Sequence, residues 1–96
     1  MIPGTTSKAS ESTVASATSI VAKTDIILVT GSTQVETIVP NFGGGFSGFL
    51  VFIPTAGAVV LGTSGNILVG ITAAQNRAVF MMFVRSLGKW VINSGV

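Results

Sequence analysis

The sequence has no cysteine and no histidine, and only 8% of its 96 residues are charged, against about 25% in an average soluble protein. These absences exclude disulfides, the usual zinc sites and an acid–base group that titrates near neutral pH. The acidic residues are Glu11, Asp25 and Glu36. Asp25 and Glu36 could face each other across a hairpin of two predicted strands. Two acids on the surface of a hairpin are far more often solvated charges than the carboxylate pair of an active site. The sequence therefore predicts that the protein is not an enzyme and carries no cofactor and no metal.

Long apolar runs are also missing, because the longest one extends only from Ala78 to Val84, whereas a membrane-spanning helix needs about 18 apolar residues or more. Nevertheless, 48% of the residues are hydrophobic, which is more apolar surface than one small core can bury. Three kinds of protein would explain this excess: a membrane protein, an aggregation-prone fragment, or a subunit that buries the surplus against copies of itself. Since no run is long enough for a membrane helix, the homo-oligomer is the leading interpretation.

The five basic residues are spread along the chain and give a net charge of only +2. Nucleic-acid binding typically needs a clustered basic surface, so no nucleic-acid partner is expected. A signal peptide has an apolar segment behind a basic start, and the first residues of this chain do not show that pattern. We therefore expect a protein that is made in a cytoplasm, has no membrane partner and is used where it assembles.

The first 18 residues differ from the rest in composition. Between Thr5 and Ser19, nine of fifteen residues are Ser or Thr, and no apolar periodicity is visible. This pattern predicts an extended N-terminal arm over 1–18, followed by a β-rich domain over 19–96. Two roles remain open for the arm, a solvated linker or a segment that becomes ordered along a neighbouring subunit.

The domain is predicted to be all-β, with about eight short strands in an antiparallel β-sandwich of jelly-roll-like form. Gly48 to Gly70 contains three apolar bursts separated by Gly, Pro, Thr and Ser, as in short strands joined by tight turns. Two earlier strands, 25–30 and 34–39, are predicted to form a hairpin around Gly31 to Thr33. Several strands are apolar at every position, so both of their faces are expected to be covered.

The longest predicted strand runs from Arg77 to Arg85 and is apolar on both faces between its terminal arginines. One face is expected to line the subunit core and the other a contact with a neighbouring subunit. We assign the candidate subunit interface to Val79, Met81 and Phe83. The opposite face consists of Ala78, Phe80, Met82 and Val84.

A glycine-rich loop precedes the central strands. Its glycines match the dinucleotide-binding pattern G-x-G-x-x-G, but that pattern must open a helix and be followed by an acid, and this loop leads into a strand. The segment is instead predicted to be a flexible loop with aromatic anchors. As a candidate partner-contact loop it comprises Phe42, Gly43, Gly44, Gly45 and Phe46.

Four motifs between Asp25 and Val96 resemble a β-rich module of bacteriophage virion proteins, found at the ends of tail fibres and in small head-decoration proteins. The module has an I-x-V-T-G strand, a G-x-L-x-F strand, a G-N-I element and a last hairpin with G-x-W. In this chain they are Ile27 to Gly31, Gly48 to Phe52, Gly65 to Gly70 and Gly88 to Ile92. The module also carries an acidic turn before its last strands, where this chain has Ala74, Gln75, Asn76 and Arg77.

This resemblance implies a structural role in a virion and assembly as a homotrimer, with the major capsid protein or another virion protein as partner. A chain of this length, with no shaft or attachment domain, is expected to be a capsid decoration or cement protein on the outside of the head. Three linked copies turn modest contacts into strong retention. The alternative is a structural or receptor-binding module associated with a tail fibre or spike.

Overall fold

A computed structural model describes residues 10–41 and 45–92, and in these ranges short runs of β-branched and aromatic residues become strands. Within these ranges there are nine strands and no helix. They are β1 (Glu11–Ala15), β2 (Ser19–Val21), β3 (Ile26–Thr30), β4 (Thr37–Val39), β5 (Gly48–Pro54), β6 (Val59–Leu61), β7 (Ile71–Ala73), β8 (Val79–Val84) and β9 (Lys89–Ile92). The prediction of an all-β protein is confirmed.

The main sheet has five strands in the order β1-β3-β5-β8-β9. Its first three strands are parallel, whereas β8 is antiparallel to both β5 and β9. A parallel pair, β2 with β4, and an antiparallel pair, β6 with β7, make two smaller ladders. A bridge between Val35 and Leu61 joins these ladders, so they act together as a second layer.

Mixed sheets replace the antiparallel arrangement expected from the sequence. The predicted hairpin does not form, because β3 pairs with β1 and β5, while β4 pairs with β2 in the other layer. The chain therefore passes from one layer to the other with each of its first five strands, and strands of one layer run parallel. Continuously apolar strands such as β3 and β5 are typical of parallel pairing.

The N-terminal segment is partly built into the domain. Residues 11–15 of the predicted arm form β1, which lies along β3 from Glu11 beside Ile26 to Ala15 beside Thr30. Ser12 and Val14 are half-buried toward the core side, and the Ser and Thr residues suit an edge strand. The boundary that we predicted after residue 18 is therefore not seen, and residues 1–9 of the arm lie outside the described part.

The core lies between the five-stranded sheet and the two smaller ladders. Trp90 and Phe52, which are both fully buried, are its largest side chains, and Ile38 and Leu61 contribute from the second layer. No charged or polar residue is buried among the described residues. Because every second residue of β3, β5, β8 and β9 points into this core, the alternate residues form an opposite face that the second layer does not cover.

Candidate functional site

The outer face of the five-stranded sheet, on the side away from the core, is apolar across four of its five strands, β3, β5, β8 and β9. A charged side chain occurs at only one of their outward positions, on β9. The apolar members of the outer face are Ile26, Leu28, Phe49, Val51, Ile53, Phe80, Met82, Val84 and Val91.

Strand register makes these side chains continuous. Ile26 lies beside Val51 and Val51 beside Phe80, which gives one row across three strands. Phe49, Met82 and Val91 form a second row, one step along the strands. Neighbouring side chains on one face of a sheet are about 4.5–5.5 Å apart, so the rows make a single apolar surface.

Large parts of this surface face solvent in the isolated subunit. Phe49 is 62% exposed, Phe80 57% and Met82 38%. A groove of about 430 Å³ lies along β5, β8 and β9, with the side chains of these three residues and of Val91 in its lining. Exposed aromatic and methionine side chains that form a contiguous patch are typical of a contact with another macromolecule.

Opposite charges lie at opposite edges of the outer face. Glu11 on β1 is exposed in the row of Ile26 and Val51, on the same side of the sheet. Lys89, on β9, stands at the other edge and donates to the carbonyl oxygen of Gly65 at 3.2 Å. The face is thus apolar in the middle, acidic at one edge and basic at the other.

The candidate interface residues Val79, Met81 and Phe83 lie on the inner face of β8, where they are 6%, 2% and 4% exposed. The structure thus reverses our assignment of the two faces, and it is Phe80 and Met82 that are open. The reason lies in the partner strands, since Phe83 packs edge-to-face on the buried Trp90 of β9, with ring centroids 5.2 Å apart. That contact fixes which side of β8 turns inward.

The candidate contact loop is described only in part. Phe42, Gly43 and Gly44 lie outside the described residues. Gly45 is exposed, and Phe46 is 67% exposed. At the next position the hydroxyl of Ser47 accepts a hydrogen bond from the backbone N–H of Arg85, at 3.1 Å. This bond ties the end of the loop to the turn after β8, close to the edge of the outer face.

Two of the motifs that carry the resemblance meet at one junction. Asn66 uses its side-chain amide as a strand would use a peptide group: Oδ1 accepts from Ile38 N–H at 2.9 Å, and Nδ2 donates to the Ile38 carbonyl at 2.7 Å. Trp90 Nε1 donates to that same carbonyl at 2.9 Å. The Trp90 backbone also pairs with Asn66 and Leu68, at 2.7 and 3.0 Å. This junction joins the two layers and covers the β9 edge.

Comparisons with protein-family models, curated protein sequences and solved structures gave no match to this chain. Among residues 10–41 and 45–92, no group of three or more acidic side chains is placed to hold a metal ion. The same residues contain no helix that is long and apolar enough to cross a membrane. The predicted hairpin would have allowed Asp25 and Glu36 to face each other, but the strands that follow them, β3 and β4, belong to different sheets.

Glu36 has a structural task that its sequence position did not indicate. Its Oε1 accepts from the Ser64 hydroxyl at 2.7 Å and from the Ser64 backbone N–H at 2.9 Å, and Gln34 donates to Oε2. These hydrogen bonds keep the pKa of the Glu36 carboxyl below its ordinary value of 4.5, and the bond from the Ser64 hydroxyl has the largest effect, followed by that from the Ser64 backbone N–H. A Cβ on Gly65 would meet the Glu36 backbone, so glycine is needed for this close approach. Glu36 thus holds the loop that presents Asn66.

We expect this contact to make the fold sensitive to acid. A carboxyl whose pKa is lower in the folded state stabilises the fold above its unfolded pKa, and this contribution is lost as the pH falls through the folded value. The urea midpoint of the wild-type protein should therefore fall below pH 4.5 by more than that of Glu36→Gln. Asp25→Asn removes an exposed carboxylate before β3 and serves as the control for the change in net charge. Parallel pH profiles of wild type and Glu36→Gln would contradict the assignment.

Proposed function

We propose that this protein is a structural component of a bacteriophage virion, a capsid decoration or cement protein that works as a homotrimer on the outside of the head. The observation that carries the proposal is the outer face, an apolar surface on a protein with few charges. Its work is adhesion, in which several copies hold one another and hold a shell. No bond is made or broken in such a task.

The size and composition of the outer face are those of a functional apolar patch. Four strands at about 4.8 Å spacing, each about six residues long, present roughly 400 Å² of sheet face. This lies within the range of about 300–600 Å² for the largest apolar patch of a typical monomer, which is often functional. Phe49, Phe80 and Met82 are side chains of the kinds enriched at protein interfaces. Burial of such a face against copies of the chain accounts for the surplus of hydrophobic residues.

The virion role is supported by the resemblance. Its G-N-I element and its G-x-W hairpin, distant in sequence, are joined in the structure through Asn66, Trp90 and Ile38. The motif residues thus have a common structural reason for occurring together in a β module. The partner on the shell is the major capsid protein or another virion protein, and it would bind to surfaces outside the outer face. Phe46, exposed beyond the edge of β5, is the candidate for that contact.

Electron microscopy of assembled particles tests the proposal. The protein is added to particles that lack it, and its density is located after removal of unbound protein. Density at many symmetry-related positions on the head shell is the expected result. Density confined to the tail would replace the proposal with a tail-fibre or spike-associated module, and absence from the particles would overturn a virion role.

A further inference from the structure

We propose that three copies of this chain turn their outer faces toward a common threefold axis, with the acidic edge of each copy against the basic edge of the next. The inference deepens the proposed function, and it rests on the homotrimer proposed there. The shared surface is the outer face, and at each seam, the line where two neighbouring copies meet, Glu11 of one copy lies beside Lys89 of the next. The occupants of the outer face are thus two further copies of the same chain.

Charge complementarity is the first argument for this occupant. Glu11 and Lys89 lie at opposite edges of the outer face. In a cyclic arrangement each copy offers its acidic edge to one neighbour and its basic edge to the other, and the same contact repeats until the ring closes. Every seam then pairs opposite charges without any second protein.

The dimensions of the sheet suit three copies. Five strands spaced about 4.8 Å apart span about 19 Å from β1 to β9. Three sheets of this width, arranged as the sides of a triangular prism, have their mean planes about 5–7 Å from the axis. Sheets that pack face to face are about 10 Å apart, so one layer of side chains fills about 5 Å. Phe49, Phe80 and Met82, longer than average side chains, fill the remaining distance.

The positions of the charged pair determine the tilt of the strands. Glu11 is in the row of Val51 and Phe80, whereas Lys89 lies opposite Val84, four residues further along β8. This offset of about 13 Å along the strands disappears if they are inclined to the axis by about 35°, which is an ordinary tilt for closed sheets. The prism is therefore expected to be twisted, with strands oblique to its axis.

Area explains why the edges are needed. The roughly 400 Å² of the outer face is about half of what each partner contributes to a stable interface of standard size, close to 800 Å². The seams must add the remainder. At the β9 edge, the segment from Asn66 to Leu68 already pairs with Trp90, so a neighbour meets side chains there rather than free backbone groups. Lys89 reaches this edge because its ammonium donates to the carbonyl oxygen of Gly65, beside that segment, and two of its three N–H groups remain for a neighbour.

Zero-length coupling with a carbodiimide tests the seam, because it joins a carboxylate to an amine only where the two touch. Glu11 and Lys89 of one copy are separated by about 19 Å across the sheet and about 13 Å along it, too far for coupling within a chain. The expected result is covalent dimers and trimers on a denaturing gel and a Glu11–Lys89 cross-link in the peptide map. Lys89→Arg, which keeps the charge but lacks the reactive amine, and Glu11→Gln should both remove that cross-link.

Phe80→Asp tests the axial face independently. Three carboxylates brought together in an apolar axis are strongly unfavourable, so light scattering should show the mass falling to one third. Since Phe80 is more than half exposed in the subunit, circular dichroism should remain that of a folded β protein. Val60→Asp is the matched control, at a 40% exposed position on β6 in the other layer, and should stay trimeric.

The possible failures can be told apart. A trimeric Phe80→Asp, or a wild-type trimer without the Glu11–Lys89 cross-link, overturns this arrangement but leaves the proposed trimer in place. A closed covalent dimer with no trimer would mean that two faces pack as a sandwich, which also overturns the threefold arrangement. A wild-type protein that is monomeric at micromolar concentration removes the trimer itself, and with it both proposals.

Discussion

Replacement of Phe83 by alanine is expected to lower the free energy of unfolding of the subunit by about 3–5 kcal/mol, the usual cost of removing a phenylalanine from a core. Phe83 is 4% exposed and meets Trp90 edge-to-face, so its loss removes an aromatic contact and leaves a cavity. Small domains are stable by about 5–15 kcal/mol in total, and the variant should be near the limit of folding. Urea unfolding, followed by tryptophan fluorescence, measures the change.

Phe80→Ala is the matched control for Phe83→Ala, because it makes the same change three residues away on the opposite face of β8. Its main effect should be on association, so its urea midpoint should approach that of the wild type at low protein concentration and differ at high concentration. If Phe80→Ala destabilised the subunit as much as Phe83→Ala at every concentration, the two faces of β8 would both be core, and the outer face would not be available for assembly.

Loss of the Asn66 side chain is the second large effect that we expect. Asn66→Ala removes both hydrogen bonds to Ile38, which is fully buried, and leaves the Ile38 N–H without its acceptor, whereas the carbonyl keeps Trp90. An unsatisfied buried group costs about 1–3 kcal/mol, and the lost bonds add about 1 kcal/mol. We expect a decrease of about 2–4 kcal/mol in the free energy of unfolding, again measured in urea.

Hydrogen exchange at the Ile38 amide gives a second readout for Asn66→Ala, because this amide should lose its protection before global unfolding. Asn41→Ala is the control: Asn41 makes one long, exposed bond, 3.4 Å to the Lys23 carbonyl, and its loss should change stability by less than about 0.5 kcal/mol. Equal effects of the two changes would mean that Asn66 does not stand in for a strand.

The strands that were predicted well are those with strong local signals. The run from Phe49 to Ile53 ends at Pro54, which is the last residue of β5 in the structure. The turn around Gly88 joins β8 and β9 into a hairpin. Pairing between distant strands has no such local signal. A run such as Ile26 to Thr30 fits a hairpin or a parallel strand equally well, and the choice depends on what lies on either side of it.

The candidate site was harder to predict, for two physical reasons. The two faces of β8 are similarly apolar, so composition does not decide which is buried, and the answer comes from Trp90 and its contact with Phe83. Polar residues with structural roles also lack a signal in the sequence. Glu36 resembles an ordinary surface charge. The pattern of 66–69 predicts a strand, although only Ile67 forms a bridge, to Trp90. The contacts of Glu36 with Ser64 and of Asn66 with Ile38 each join residues 28 positions apart.

The alternation of the first five strands between two layers has a consequence for the order of folding. β1, β3 and β5 become neighbours only after β2 and β4 have crossed to the other layer, so each parallel pair requires closure of a loop at an entropic cost. β8 and β9 are joined by a short turn and can pair at once. Folding is therefore expected to begin at this hairpin and reach β1 last, so a newly made subunit exposes its apolar strands before Glu11 takes its place at the edge. Copies that meet too early would lack one side of the charged pair, and correct closure of the ring would depend on the slowest strand.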